Sequence, residues 1–210
     1  KMVKQRNTKN QWQVWFMILM LGGVIIAGFL IYPKTEDQRN LLLEKLGTTN
    51  YGDFLVPPVP IAGLNFKNDE DDAWILADQK PKWRMIIAGD GECVDRCREL
   101  IYLTRQIHIS LGKYSRRFER LYLALDPQLV DETSAYLKLN HPFLKVIYGS
   151  REEFEALLKN TNTPFGSKNP DLIRAYLVDQ QGLVMMSYSL VNKGNEIIED
   201  IEHLMKYSAQ

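Results

Sequence analysis

The chain has 210 residues, 26 basic and 26 acidic, so its formal net charge is zero, and it carries only two cysteines. No basic stripe with interleaved aromatics appears, which argues against a nucleic-acid partner. Beyond the N-terminal segment there is enough chain for one compact domain with its own core, and too little for two.

Residues 1–13 form a basic tail: Lys1, Lys4, Arg6 and Lys9 face no acid within the first nine positions. Val14 to Tyr32 follows without a charge, and 19 residues at about 1.5 Å each reach across a hydrocarbon core of about 30 Å. Trp12, Trp15 and Tyr32 fit interfacial anchors. A cleaved signal peptide would have a shorter apolar core and an Ala-x-Ala site, and a buried helix would show a polar face; an uncleaved transmembrane anchor over 14–32 fits better. The basic flank stays in the cytoplasm, which puts everything past Pro33 outside. With the four tail bases set aside, 22 bases face 26 acids, a mildly acidic outer domain.

Residues 33–51 are expected to be a stalk or linker, with one short helix from Glu36 to Leu46, and 52–210 the outer domain. The prolines of Asn50–Pro60 exclude a central strand and suggest an extended arm lying along the domain. The acidic run Asn68–Asp72 is a solvated turn between Phe66 and Trp74; its spacing lacks the loop glycine and distal Glu of an EF-hand. Trp74 to Ala77 reads as a short strand.

Next comes the stretch that carries chemistry. An apolar run, Trp83 to Ala88, stops at Gly89-Asp90-Gly91. Then Cys97, Leu100, Ile101, Thr104, Ile107, His108 and Leu111 recur at helical spacing, giving strand, tight loop, amphipathic helix. Cys93 is expected in the first helical turn, where free N–H groups and the positive dipole end favour a thiolate, with Cys97 tucked below it. Four apart on a helix, their Cβ atoms are about 6 Å apart, compatible with a disulfide or a shared soft metal ion. A purely structural disulfide is the alternative, although so short a loop contributes little stability. Glu92 and Asp95 oppose thiolate formation while Arg96 and Arg98 favour it.

Phe118 to Leu125 is a strand ended by Asp126-Pro127, and Pro127 to Leu139 a helix. Lys145 to Tyr148 is a strand. Ser150 caps a helix from Arg151 to Lys159, with Glu153 completing a capping box. Thr161 to Asn169 is a loop, Ile173–Val178 and Leu183–Ser187 a hairpin around Asp179–Gly182, and Asn195 to Tyr207 a closing helix with Ile197, Ile198, Ile201, Leu204 and Met205 on one face. Strands alternating with helices imply a parallel core with an antiparallel hairpin at its edge, an α/β fold.

A cysteine pair at the head of the first long helix, followed by this element order, resembles a thioredoxin-like fold: a mixed central sheet flanked by helices. The spacer in Cys93-Val94-Asp95-Arg96-Cys97, the single anchor, the Leu-Tyr-Leu-Ala-Leu-Asp strand before Pro127, and Ala175-Tyr176-Leu177-Val178-Asp179-Gln180-Gln181-Gly182 are similar to the Sco (SCO/SenC-type) family, over roughly residues 52–207. The resemblance implies a factor in the bacterial inner membrane, its C-terminal domain in the periplasm, assisting assembly of a respiratory cytochrome c oxidase. Its partners would be that oxidase or its assembly factors, its working residues Cys93 and Cys97, its task thiol–disulfide or Cu(I) handling. The family's third copper ligand is a histidine five residues before the hairpin aromatic; here that count falls on Asp171. The proline usual after the second cysteine is Arg98. His108, His141 and His203 do not repair the site. Two thiolates and a carboxylate suit Cu(I) weakly and Cu(II) poorly. A general thiol oxidoreductase, with Cys93 as nucleophile, Cys97 as resolving thiol and Asn169-Pro170 supplying a cis-proline, also fits the residues. So does a non-catalytic docking subunit with a structural disulfide.

Overall fold

The computed structural model describes residues 8–32, 34–35, 50–163, 165 and 173–207. The expected stalk helix, Asp171 and the Asn169-Pro170 bond lie outside them. The chain divides into two compact units, 1–48 and 49–210.

In the first unit, α1 runs from Thr8 to Ile31. Trp12–Leu30 is long and apolar enough to cross a membrane.

The second unit is built on β1 (Asp53–Pro60), β2 (Phe66–Lys67), β3 (Ala73–Trp74), β4 (Trp83–Gly89), α2 (Arg96–Ser110), β5 (Phe118–Ala124), α3 (Asp131–Asn140), β6 (Leu144–Tyr148), α4 (Arg151–Leu158), β7 (Ala175–Val178), β8 (Leu183–Tyr188) and α5 (Gly194–Tyr207). Among the described residues eight strands form one sheet, in the order β1-β8-β7-β4-β5-β6-β2-β3. β4, β5 and β6 are mutually parallel, and the β7–β8 hairpin adds antiparallel strands beside β4. This is the α/β, thioredoxin-like arrangement expected from the element order.

β4 and β5 are buried at every position because helices or loops cover both faces of the sheet. Met85, Ile87, Tyr122 and Ala124 point to the layer that holds Leu100 and Ile101 of α2 and Ile197, Ile201 and Met205 of α5. Ile86, Ala88, Leu121 and Leu123 point to the other, with Phe154 and Leu158 of α4, Leu55 and Ile61.

The proline-rich arm is an edge strand. β1 pairs with β8 at Asp53 and Phe54, loses register, and resumes at Val59. The slip spans Pro57 and Pro58, which have no N–H to give, and the outer edge tolerates this. The cis peptide among the described residues is Val56–Pro57. The acidic turn is as expected: Asn68 Oδ1 accepts from the N–H groups of Glu70 and Asp72. The strand expected over Trp74–Ala77 keeps only its first residue, and Leu76–Asp78 is a 3-10 turn. Ser150 Oγ accepts from Glu153 N, but the Glu153 carboxylate turns to the Asn65 N–H and side-chain amide, so the capping box closes by half.

Candidate functional site

The cysteines lie where the parallel strands end. β4 stops at Gly89, whose carbonyl accepts from Leu125 N of the neighbouring strand's exit at 2.9 Å. The chain then needs a residue without a side chain: Gly91 N donates to Asp126 Oδ2 at 2.7 Å, its carbonyl accepts from Val130 N at 3.0 Å, and a Cβ there would stand 2.5 Å from the Gln128 carbonyl oxygen. Because that oxygen belongs to the backbone, Gly91→Ala is expected to destabilise the unit by about 1–3 kcal/mol. Thermal unfolding of the full chain in micelles checks this; an unchanged midpoint would show that the loop yields freely.

Cys93 and Cys97 form a disulfide, their Cα atoms 5.3 Å apart. The expected position of Cys93 is corrected. Asp95 takes a positive φ of 38°, rare for a residue with a side chain, and α2 starts only at Arg96. Cys93 therefore precedes the helix, while Cys97 is its second residue. Cys97 is not the one tucked below: Cys93 is 0% exposed and Cys97 9%. Cys93 is pinned from two sides. Its N–H donates to Thr133 Oγ1 of α3 at 3.0 Å, and its carbonyl accepts from Arg98 Nε at 2.9 Å. The Arg98 guanidinium pairs with Glu132 at 2.7 Å and stacks 4.6 Å over the Tyr136 ring, so its charge is already matched. Glu92 and Asp95 are exposed, which weakens their opposition to a thiolate.

Tyr122 completes the floor. Its hydroxyl donates to the Asp90 carbonyl at 2.6 Å and lies 3.8 Å from Cys97 Sγ. Burial, reinforced by Asp90 and Asp126, raises its pKa and keeps the phenol protonated beside the sulfur. Arg151 pairs with the Asp90 carboxylate, tying the head of α4 to the cysteine loop. Thr133, Glu132 and Arg151 carry no local sequence signal of this role. Tyr122 lies on the motif strand, where its spacing from Cys97 cannot be read.

The histidines serve other ends. His108 packs edge-on against Phe118 at 5.2 Å, with Nε2 3.2 Å from the Ser115 carbonyl, and burial lowers its pKa. His141 is buried beside Tyr136, and burial, then Arg120 and Arg105, hold its pKa at about 4. His203 is on the exposed side of α5. Among the described residues no three His, Cys, Asp or Glu gather as metal ligands.

What this arrangement supports chemically is exchange at a sulfur–sulfur bond held against a protonated phenol, or, once reduced, presentation of two soft thiols on one turn.

The family model described as transmembrane-like, thioredoxin-like, C-terminal domain matches residues 83–208. No curated protein sequence matches the chain. Among solved structures, Arabidopsis thaliana ScoI with copper bound superimposes with a TM-score of 0.55 at 18% identity, over 70% of this chain and 99% of that one. Yeast Sco1 with copper bound gives 0.56 at 16%, over 78% and 97%. BsSco, described as having a disulfide switch and as a member of the Sco family of cytochrome c oxidase assembly proteins, gives 0.54 at 16%, over 72% and 96%. At these identities the likeness is one of fold.

Proposed function

This chain belongs to the transmembrane-like, thioredoxin-like family, and on that premise we propose that it is a membrane-anchored thiol–disulfide factor working through Cys93 and Cys97. The observation that carries the reading is the disulfide at the exit of the central strand, packed against Tyr122. Its tail, with Lys1, Lys4, Arg6 and Lys9, stays in the cytoplasm of a bacterial inner membrane, and the outer domain faces the periplasm, where such a pair can cycle. The Sco likeness supports a place in the assembly of a respiratory cytochrome c oxidase, with that complex or another assembly factor as partner.

A second reading has Cu(I) as cargo, held between the two reduced thiols. Two soft sulfurs suit Cu(I), and Asp171, at the position of the family's histidine, supplies only a hard oxygen. Wild-type chain in micelles, reduced and titrated with Cu(I) against a chromophoric chelator, is expected to bind weakly and to show no thiolate-to-Cu(II) absorption after oxidation. Asp171→His is expected to tighten binding and create that band, and a Cys93→Ser, Cys97→Ser double variant to abolish both. Tight binding by wild type with no response to Asp171→His would mean that other residues build the site.

The full burial of Cys93 favours a third role, a docking subunit whose disulfide is only structural. A disulfide in the folded chain that stays intact against a dithiol reductant would select that reading over the first two.

A further inference from the structure

We infer that a small inorganic anion, chloride by size, is held between the guanidinium of Arg120 and the imidazole of His141, beneath α2. Arg120 stands on β5 and is 2% exposed. Strand alternation puts its side chain in the α2 layer, with Phe118 and Tyr122. Its hydrogen bonds do not satisfy it. Nη1 reaches the Ile101 carbonyl of α2 at 3.5 Å, beyond the usual range, and Thr104 Oγ1 already donates to that oxygen at 2.8 Å. Among the described residues the buried Nε has no partner. An arginine this deep is ordinarily paired with an acid. Glu119, the preceding residue, points to the opposite face and is spent on Arg84 and Lys145. Arg105, half-buried and one helical turn past Ile101 on α2, brings a charge of like sign. Burial first, and then Arg105, lower the pKa of Arg120 to about 10, and among the described residues no carboxylate acts against them.

A second orphan lies beside it. Arg120 is opposite Leu144 in the β5–β6 ladder, and Leu144 N donates to the His141 carbonyl at 2.8 Å. His141 is likewise 2% exposed, and among the described residues its Nδ1 has no partner. Its Nε2 is engaged by Tyr136 Oη at 3.1 Å; with the phenol donating, Nδ1 carries the ring proton and is a donor without an acceptor. The charges of Arg120 and Arg105 both act on this ring. A buried water would accept from the two nitrogens yet leave the guanidinium charge uncompensated, a cost of the kind incurred when a buried ion pair loses its anion. An anion accepts from both and cancels that charge. Both residues are nearly sealed from solvent, so a single-atom ion suits the space, and a tetrahedral oxyanion with many acceptors to satisfy does not. The site lies near the start of β5, whereas the cysteine loop follows the end of β4, so it is independent of the role proposed for the disulfide.

The probe is chloride, compared with gluconate, an anion too large to enter, at equal ionic strength and neutral pH. The readout is thermal unfolding of the full chain in detergent micelles. Replacing gluconate by chloride is expected to raise the wild-type midpoint by about 2–4 °C, along a curve that saturates. Arg120→Met keeps a similar volume without the charge. It is expected to unfold no earlier than wild type in gluconate and to gain nothing from chloride. Arg105→Gln alters only a half-buried side chain, and it is expected to need about tenfold more chloride for half the rise. The proposal is overturned if wild type unfolds at the same temperature in both salts, since the two nitrogens then hold water or nothing. A chloride response unchanged in both variants also overturns it, because the ion then acts elsewhere on the protein. Should Arg120→Met fail to fold, Arg105→Gln decides alone: a shifted chloride curve supports the site and an unshifted one overturns it.

Discussion

Glu119→Gln is expected to lower the unfolding free energy of the outer domain by roughly 3–5 kcal/mol, the usual cost of removing one partner from a buried ion pair. Arg84 is 1% exposed on β4, and its Nε donates to Glu119 Oε2, 3.1 Å away on β5. The remaining guanidinium donors reach the carbonyls of Lys80 at 2.7 Å and Lys82 at 3.2 Å, so the side chain cannot swing to water without breaking them. Among the described residues Glu119 is the one anion in contact with this cation, and glutamine keeps an acceptor but no charge. The second partner of Glu119, Lys145, is 55% exposed and recovers hydration on its own, so the loss is concentrated on Arg84.

The same pair fixes a pH dependence. Burial pushes the Glu119 carboxyl up, but Lys145 first, then Arg84 and Lys82, outweigh it, and its pKa ends below the ordinary 4.5. A depressed carboxylate contributes stability above its unfolded pKa and loses it as pH falls through the folded one. Chemical unfolding of wild type and Glu119→Gln in micelles should therefore show the full difference near neutrality and a shrinking one below pH 4.5. A difference under about 1 kcal/mol at neutral pH, in the range of a surface pair, or one that ignores pH, would show that Arg84 is stabilised mainly by the carbonyls.

The parts of the fold legible in the sequence are those that local patterning decides. The run Trp83–Ala88, the stripe Cys97, Leu100, Ile101, Thr104, Ile107, and the Asp179–Gly182 turn each specify one element with little help from elsewhere. In that turn Asp179 Oδ1 accepts from Gln181 N and Leu183 N, and Gly182 sits at a φ of +89°. What misleads is set by distant partners. Glu153 has the spacing of a capping box, yet Asn65, 88 residues away, claims its carboxylate. Pro127 suggests a helix start, yet α3 waits until Asp131 because Val130 N is spent on the Gly91 carbonyl. The cysteine loop behaves likewise. The stripe of α2 begins at Cys97 and never includes Cys93, so the later helix start was present in the periodicity. The bond from Cys93 N to Thr133, 40 residues on, was not.

That later start changes which thiol is expected to react. Cys97, not Cys93, is expected to react first once the pair is reduced, and to be alkylated about tenfold faster at neutral pH. Two independent effects point the same way. Cys97 retains 9% exposure while Cys93 has none, and Cys97 lies in the first turn of α2, where the positive dipole end lowers a thiol's pKa. Cys93 lies outside the helix, sealed by Thr133 and Arg98. In the exchange proposed above, a partner thiolate attacks Cys97 Sγ, the Cys93–Cys97 bond breaks, and Cys93 leaves as a thiolate that takes up a proton. The partner's second thiol then attacks the mixed disulfide and releases Cys97 reduced, the partner's dithiol having supplied both electrons. Thr133→Val should loosen the loop and narrow the gap by speeding Cys93 alone. The measurement is mass-spectrometric timing of alkylation on the reduced full chain in micelles, with Cys93→Ser and Cys97→Ser isolating each thiol. If Cys93 labels first in wild type, or if Thr133→Val accelerates both thiols equally, the loop does not set the order of attack and Cys93 is the thiol a partner meets.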